Sequence, residues 1–107
     1  MYAHEKDALN RITESLRERF PGRTEAVYVF GSKARGDYDE WSDFDVLVVV
    51  RDRDPFVEQT IISLFVEEEL RSGLLFTPLI KDRMAFESEK KFSTPFYENL
   101  TREGIAL

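Results

Sequence analysis

The spacing between a Gly-Ser pair at Gly31 and an Asp-x-Asp triplet at Asp43 constrains this chain more than any other feature. Ten residues separate Ser32 from Asp43, and the second acid of the triplet, Asp45, enters the apolar run 46–50. That run predicts a strand buried on both faces. Side chains at positions i and i+2 of a strand project to the same face, so the two carboxylates point together, with Cα atoms roughly 7 Å apart. Two like charges on one face favour a cation between them, and the triplet therefore predicts a divalent metal site.

The Gly-Ser pair predicts an anion-binding turn. Residues 26–30 form a short apolar run that ends at Gly31, and a helical turn is expected after Ser32. A turn that leads from a strand into a helix exposes unpaired backbone N–H groups, which bind anions. Gly31 would permit close approach of the backbone, and Ser32 would add a hydroxyl to a nucleotide phosphate. The alternative is a plain glycine turn with a serine N-cap, but the neighbouring acidic triplet favours the phosphate site.

Two basic residues in the connector between the strands are candidates for nucleotide binding. Lys33 and Arg35 could contact the oxygens of a triphosphate. For Arg35, an ion pair with Asp37, with Asp39 or with a helix end is an equally good expectation.

The end of the same connector supplies two further candidates. Ser42 directly precedes the acidic triplet, where it would organise the entry into the strand and join the nucleotide-binding residues. Trp41 could stack on a base, although an apolar plug that anchors the connector is the better-supported alternative.

Composition narrows the classes of function. The chain has 107 residues, 42% of them hydrophobic, and no cysteine, which predicts one domain over residues 1–107 and excludes disulfides. No stretch approaches the roughly 20 apolar residues of a membrane span, and the N-terminus lacks the apolar core of a signal peptide, so a cytoplasmic protein is expected. The net charge of −6, without a visible basic patch, argues against binding to a long nucleic acid.

The remaining pattern predicts an α+β fold with a small mixed sheet and helices packed on it. Apolar spacing indicates helices, and alternating or continuous apolar runs indicate strands. A proline within the third strand predicts that this strand lies at an edge of the sheet or begins to pair late, because proline cannot donate to a ladder. The run Glu67-Glu68-Glu69 is expected on a solvated helix face. The predicted elements are a helix over 3–20, strands over 26–30 and 44–51, a helix from Asp54-Pro55 to Ser72-Gly73, a strand over 74–81, a short helix over 82–91, and a helix from Thr94-Pro95 to Gly104.

The segment GSKARGDYDEWSDFDVLVVV resembles the signature of the minimal nucleotidyltransferases of the DNA polymerase β superfamily, of the type found as antitoxins in HEPN/MNT pairs. The resemblance implies the nucleotidyltransferase fold and Mg²⁺ held by Asp43 and Asp45. It also implies transfer of a nucleoside monophosphate to a hydroxyl of a HEPN-type protein partner. The group expected first is AMP from ATP, and another nucleoside triphosphate is the alternative donor. A homo- or hetero-oligomer would follow from such a partnership.

One departure from the family pattern bears on activity. Members of this superfamily often carry a third carboxylate on a later strand, which completes the metal site and helps to deprotonate the acceptor. The corresponding stretch here is Phe76-Thr77-Pro78-Leu79, which has no acid, and Asp82 lies beyond the expected strand end. Two functions therefore stay open: a weak adenylyltransferase, and a nucleotide-binding partner subunit that neutralises a toxin by binding alone.

Overall fold

A computed structural model of the chain describes residues 1–36 and 42–107, except for the side chain of Ser32. The described residues form five helices and four strands. In chain order they are α1 (Ala3–Arg19), β1 (Thr24–Phe30), α2 (Ser32–Arg35), β2 (Phe44–Val50), α3 (Pro55–Ser72), β3 (Phe76–Asp82), α4 (Arg83–Lys91), α5 (Pro95–Glu103) and β4 (Ile105–Ala106). No helix in this part of the chain has the length and apolar character needed to cross a membrane.

Local hydrogen bonds set the helix ends that the sequence predicts. The backbone N–H of Val57 donates to Asp54 Oδ1 over 2.8 Å, which caps α3 ahead of the proline in its first turn. The same helix ends at Gly73, which takes the left-handed conformation. Thr94 caps α5 in the same manner, because its hydroxyl oxygen accepts from the backbone N–H of Tyr97.

The strands form one mixed sheet in the order β3-β2-β1-β4. β1 runs antiparallel to β2 and to β4, while β2 and β3 are parallel. The predicted α+β arrangement is therefore confirmed. The two-residue strand β4 is an addition to the prediction, and it exists because Ile105 and Ala106 pair with the middle of β1.

The edge position of β3 follows from its proline, as predicted. The backbone N–H of Phe44 donates to the carbonyl of Leu75 over 2.9 Å, so alternate residues from Phe76 onward direct their backbone groups away from β2. At the first of these outward positions, the N–H of Phe76 donates to Glu69 Oε2 over 2.9 Å. At the second, Pro78 has no N–H. The chain itself therefore leaves no free backbone donor at either position.

One face of the sheet packs against α1 and α3, and we name it the packed face. Its side chains come from alternate positions of the three long strands β1, β2 and β3 and are almost fully buried. They meet one apolar stripe from each helix in a continuous core. The packed face consists of Val27, Val29, Phe44, Val46, Val48, Val50, Phe76 and Ile80.

The opposite face carries the intervening residues of β2, namely Asp45, Leu47 and Val49, and we name it the carboxylate face. Leu47 and Val49 are buried beneath Phe86 of α4 and Leu100 of α5. The smaller helices α4 and α5 thus cover this face where Leu47 and Val49 lie. Asp45, at the start of the strand, stays half-buried.

The acidic run of α3 corrects one expectation. Only Glu67 is exposed, whereas Glu68 is buried and receives two hydrogen bonds from the Arg11 guanidinium, of 2.8 and 3.0 Å. The reason is position, because Glu68 follows Ile61 and Phe65 at helical spacing and therefore falls on the stripe that faces α1. The prediction of a solvated face was wrong for Glu68, which joins the two large helices.

Candidate active site

The two predicted metal ligands come together at the start of β2. Asp45 pairs in register with Phe30 of β1 and with Thr77 of β3, so these three residues lie side by side across the sheet. Asp43 is exposed and directly precedes the strand. Its Oδ2 accepts a hydrogen bond of 2.8 Å from the Thr77 hydroxyl. The two carboxylates therefore share one side of the sheet, with a threonine beside them.

The electrostatics of the pair fit a divalent cation. Partial burial raises the pKa of Asp45, and the negative charge of Asp43 raises that pKa further. Both effects disfavour two ionised carboxylates in the absence of a counter-charge. Carboxylate oxygens are the ligands that Mg²⁺ prefers, commonly one or two from the protein together with substrate phosphates. The donor set of Asp43 and Asp45 therefore suits Mg²⁺ that arrives with a nucleotide.

Gly31 brings the backbone turn into contact with this pair. Its φ angle is +79°, in the left-handed region that glycine adopts most readily. A Cβ atom added at Gly31 would overlap with Asp45 Oδ2, far inside van der Waals distance. Glycine is thus required here for two reasons, the backbone conformation and the approach of the carboxylate. The predicted phosphate turn and the predicted metal ligand are direct neighbours.

Lys33 lies in α2 and its side chain is buried rather than directed to solvent. Its Nζ atom is 3.9 Å from Glu5 Oε2 and stands 5.1 Å from the centroid of the Phe44 ring. The other oxygen of Glu5 accepts the backbone N–H of Tyr2 over 2.8 Å. The geometry therefore gives Lys33 a structural contact with the start of α1. The phosphate contact predicted for Lys33 from the sequence stays a prediction.

Sequence reasoning missed the role of Glu5. The signal was present, because Glu5 precedes Leu9, Ile12 and Leu16 at helical spacing and so shares the buried stripe of α1. An acid on an apolar stripe requires a partner, and the structure supplies it in Lys33.

Arg35 is exposed and forms an ion pair with the last residue of α5, since its Nη1 lies 3.1 Å from Glu103 Oε2. This contact matches the expectation of a helix-end partner. The alternative partners, Asp37 and Asp39, lie outside the described residues. Ion pairs to α1 and to α5 therefore hold the short turn 31–35 on two sides.

The remaining nucleotide-binding candidates are placed only in part. Ser42 is half-buried and directly precedes Asp43, as the sequence requires. The hydroxyl of Ser32 and the ring of Trp41 lie outside the description that the structure gives. Their predicted roles stay predictions.

In the stretch 76–79, which the family resemblance relates to the third carboxylate, Thr77 pairs with Asp45 and donates to Asp43, so it faces the acidic pair. Asp82 lies at the far end of β3, where it accepts the backbone N–H groups of Met84 and Arg53. These two hydrogen bonds, with that from Met84 the stronger influence, lower the pKa of Asp82. Across residues 1–36 and 42–107, no three acidic, histidine or cysteine side chains gather into a metal-binding group.

Comparisons with known proteins agree with this geometry. The sequence pattern of the nucleotidyltransferase domain matches residues 9–105. A Methanocaldococcus jannaschii protein named "putative protein adenylyltransferase" is 32% identical over 104 residues, which cover 97% of this chain and 98% of that protein. A second protein of that name from the same organism is 34% identical over 86 residues, or 79% of this chain and 80% of its own length.

Solved structures share the fold. The crystal structure of a "putative nucleotidyltransferase" from Sulfolobus solfataricus superimposes with a TM-score of 0.54 at 23% identity, covering 99% of this chain and 86% of that one. A crystal structure of a toxin-antitoxin with AMP-PNP gives a TM-score of 0.55 at 18% identity, over 89% of this chain and 68% of that one.

Proposed function

Because the chain belongs to the nucleotidyltransferase domain family, we propose that it transfers AMP from ATP to a hydroxyl of a protein partner, with Mg²⁺ held by Asp43 and Asp45. One observation carries the proposal. The two carboxylates share one side of the sheet, and the Gly31 turn touches one of them. A phosphate held by the turn would therefore lie beside a cation held by the pair, as phosphoryl-transfer chemistry requires.

Each part of the site has a separate task in this proposal. The backbone of Gly31 and Ser32 binds phosphate oxygens, with Ser42, Lys33 and Arg35 as further nucleotide-binding candidates. The ion pairs of Lys33 and Arg35 also fix the turn relative to α1 and α5. When bound, Mg²⁺ neutralises the negative charge that develops on the phosphates during transfer.

The choice of nucleotide and acceptor rests on the relatives. The M. jannaschii proteins carry the name of protein adenylyltransferases, which favours AMP as the transferred group and a protein as the acceptor. Two of the solved structures with this fold are toxin-antitoxin assemblies, one with AMP-PNP and one a mutant of MntA-HpeT. We therefore propose that the chain is the antitoxin of a toxin-antitoxin pair, with a HEPN-type toxin as its partner and acceptor.

Thr77 favours a second candidate function. Proton removal by a positioned side chain commonly contributes on the order of 10²–10⁴ in rate, and a threonine hydroxyl is a poor substitute for a carboxylate. A chain with this site could bind ATP and Mg²⁺ and neutralise its partner by binding, with little or no transfer. The enzyme proposal expects slow transfer, in which the acceptor oxygen bonds to the α-phosphorus of ATP and pyrophosphate leaves. A group of the partner or the nucleotide takes the proton of the hydroxyl.

The test uses the chain co-purified with the product of the neighbouring gene, incubated with ATP and Mg²⁺. We expect the intact mass of the partner to increase slowly by one AMP, and no increase with Asp43→Asn. Asp52→Asn is the matched control, because Asp52 is exposed in the β2–α3 loop and its positive φ suits asparagine. The control should retain transfer.

An unchanged partner mass with the wild-type chain would exclude the enzyme proposal. In that case, calorimetric titration tests the second candidate function, in which the chain binds ATP and Mg²⁺ without transfer. ATP should bind more tightly with Mg²⁺ than without it, and this gain in affinity should disappear in Asp45→Asn. Equal ATP affinity in the wild type and in Asp45→Asn, each with and without Mg²⁺, would exclude both functions.

A further inference from the structure

Thr77 occupies the place of an expected acid yet makes a specific contact of its own. We propose that Thr77 is a positioning residue, whose hydroxyl holds Asp43 in the orientation that receives the metal ion. This inference rests on the proposed function, because it concerns the same cation site. It assigns to the departure from the family pattern a task in binding rather than in proton transfer.

The contact is direct. The Thr77 hydroxyl donates to Asp43 Oδ2 over 2.8 Å, which leaves Asp43 Oδ1 and the second lone pair of Oδ2 available to a cation. Asp43 is exposed and precedes the first residue of β2, so the strand ladder does not restrain its side chain. Without the hydroxyl, the carboxylate would lose orientation entropy each time it bound an ion.

The hydroxyl is itself well fixed. Thr77 pairs in register with Asp45, and the hydrogen bond from Phe44 N–H to the Leu75 carbonyl ties the start of β3 to the start of β2. A β-branched side chain has a restricted χ1, so little freedom is lost when Thr77 donates to Asp43. The same strand pairing therefore sets the distance between both metal ligands and their neighbour.

The choice of a hydroxyl also limits the charge of the site. Asp43 and Asp45 already place two carboxylates side by side, and a carboxylate at position 77 would add a third negative charge beside them. A threonine orients one ligand without this cost. A ligand held by an outer hydrogen bond binds metal more tightly, and loss of such a bond typically lowers metal affinity by 10–100-fold.

The experiment measures binding, not turnover. Mn²⁺ is titrated by calorimetry into the chain in the presence of an ATP analogue with a methylene group between the α- and β-phosphates. We expect Thr77→Val, which keeps the shape and removes the hydroxyl, to weaken Mn²⁺ binding about tenfold. Thr77→Ser keeps the hydroxyl and should stay within about twofold of the wild type, a change below the net contribution of a typical hydrogen bond.

Two controls separate positioning from a general effect. Thr60→Val removes a hydroxyl that donates to Phe56 on α3, away from the site, and should leave Mn²⁺ binding unchanged. Affinity for the analogue without Mn²⁺ should be equal in the wild type and in Thr77→Val. Thermal unfolding tests whether each variant is folded. Because Thr77 is exposed, we expect its substitution to leave the fold intact.

Mn²⁺ binding in Thr77→Val equal to that of the wild type would overturn the inference and leave the proposed function intact. Equal weakening in Thr77→Val and Thr77→Ser would also overturn it, because shape rather than the hydroxyl would then be responsible. A wild-type chain that binds neither Mn²⁺ nor the analogue would overturn the proposed function itself.

Discussion

Alternate side chains of β2 meet two different environments, and the packed face and the carboxylate face differ accordingly. On the packed face, apolar residues of every long strand meet α1 and α3, and the buried charged groups beside this core are paired, as in Arg11–Glu68 and Lys33–Glu5. On the carboxylate face, two smaller helices cover the apolar part of β2, and the entrance of the strand carries the acids.

Within the seven residues of β2, this difference separates the side chains that stabilise the fold from those of the proposed active site. A single strand supplies both faces because its side chains alternate. The packed face keeps β2 in place with apolar burial, which is the dominant favourable contribution to folding. The carboxylate face can therefore hold two like charges that would oppose folding in a less well-supported strand.

The largest expected effect concerns the packed face. Ile61→Ala truncates a fully buried side chain of α3, and such truncations typically cost about 2–5 kcal/mol in the free energy of unfolding. Leu79→Ala, on the partly exposed edge strand and on the same side as Thr77, should cost less than about 1 kcal/mol. Urea denaturation of both variants measures the difference. Equal losses would contradict the division of roles between the two faces.

An intermediate effect is expected where the turn touches the carboxylate face. Gly31→Ala and Gly22→Ala both place a side chain at positive φ, at a cost of roughly 1–2 kcal/mol in stability. Only the first forces a Cβ atom against Asp45, since the space around Gly22 is open. We expect Gly31→Ala alone to lose Mg²⁺-dependent ATP binding by calorimetry. If Gly22→Ala lost it equally, the effect would be one of general destabilisation.

The smallest effect tests the cost of the paired carboxylates. The pKa of Asp45 is raised in the folded chain, so the carboxyl group loses its proton at lower pH in the unfolded chain than in the folded chain. Above pH 3.8, the ordinary pKa of this group, Asp45 therefore destabilises the metal-free fold. Asp45→Asn should therefore melt about 2–4 °C above the wild type at pH 7, a shift that suits a partly exposed group. The difference should vanish below about pH 4. A lower melting temperature than wild type at neutral pH would contradict this interpretation, and Asp52→Asn serves as the control.

Sequence reasoning succeeded where a feature depends on neighbours in the chain. The caps at Asp54 and Thr94 involve partners three residues away, and both are confirmed. The edge position of β3 is one of the two outcomes that Pro78 predicted. The resemblance to nucleotidyltransferases depended on a short segment, and the relatives confirm it over nearly the whole chain.

Features that depend on distant pairing could not be obtained in this way. Strand β4 has two residues, and only its register with β1 makes it a strand. The contacts of Thr77 with Asp43 and of Lys33 with Glu5 join residues far apart in sequence, and they require the strand order and helix placement to be known. Charged residues such as Glu68 were misjudged because their type suggested a solvated surface, whereas their helical position determined their burial.

The blunted edge of β3 has a consequence for how this chain meets other molecules. A sheet edge with free backbone donors accepts almost any extended peptide, because a ladder of backbone hydrogen bonds does not depend on side chains. Glu69 and Pro78 remove that option at the first two outward positions. A partner that binds at these two positions is therefore recognised by the shape and charge of side chains, which differ from one protein to another. The same two residues reduce the tendency of identical copies to join edge to edge into open-ended aggregates.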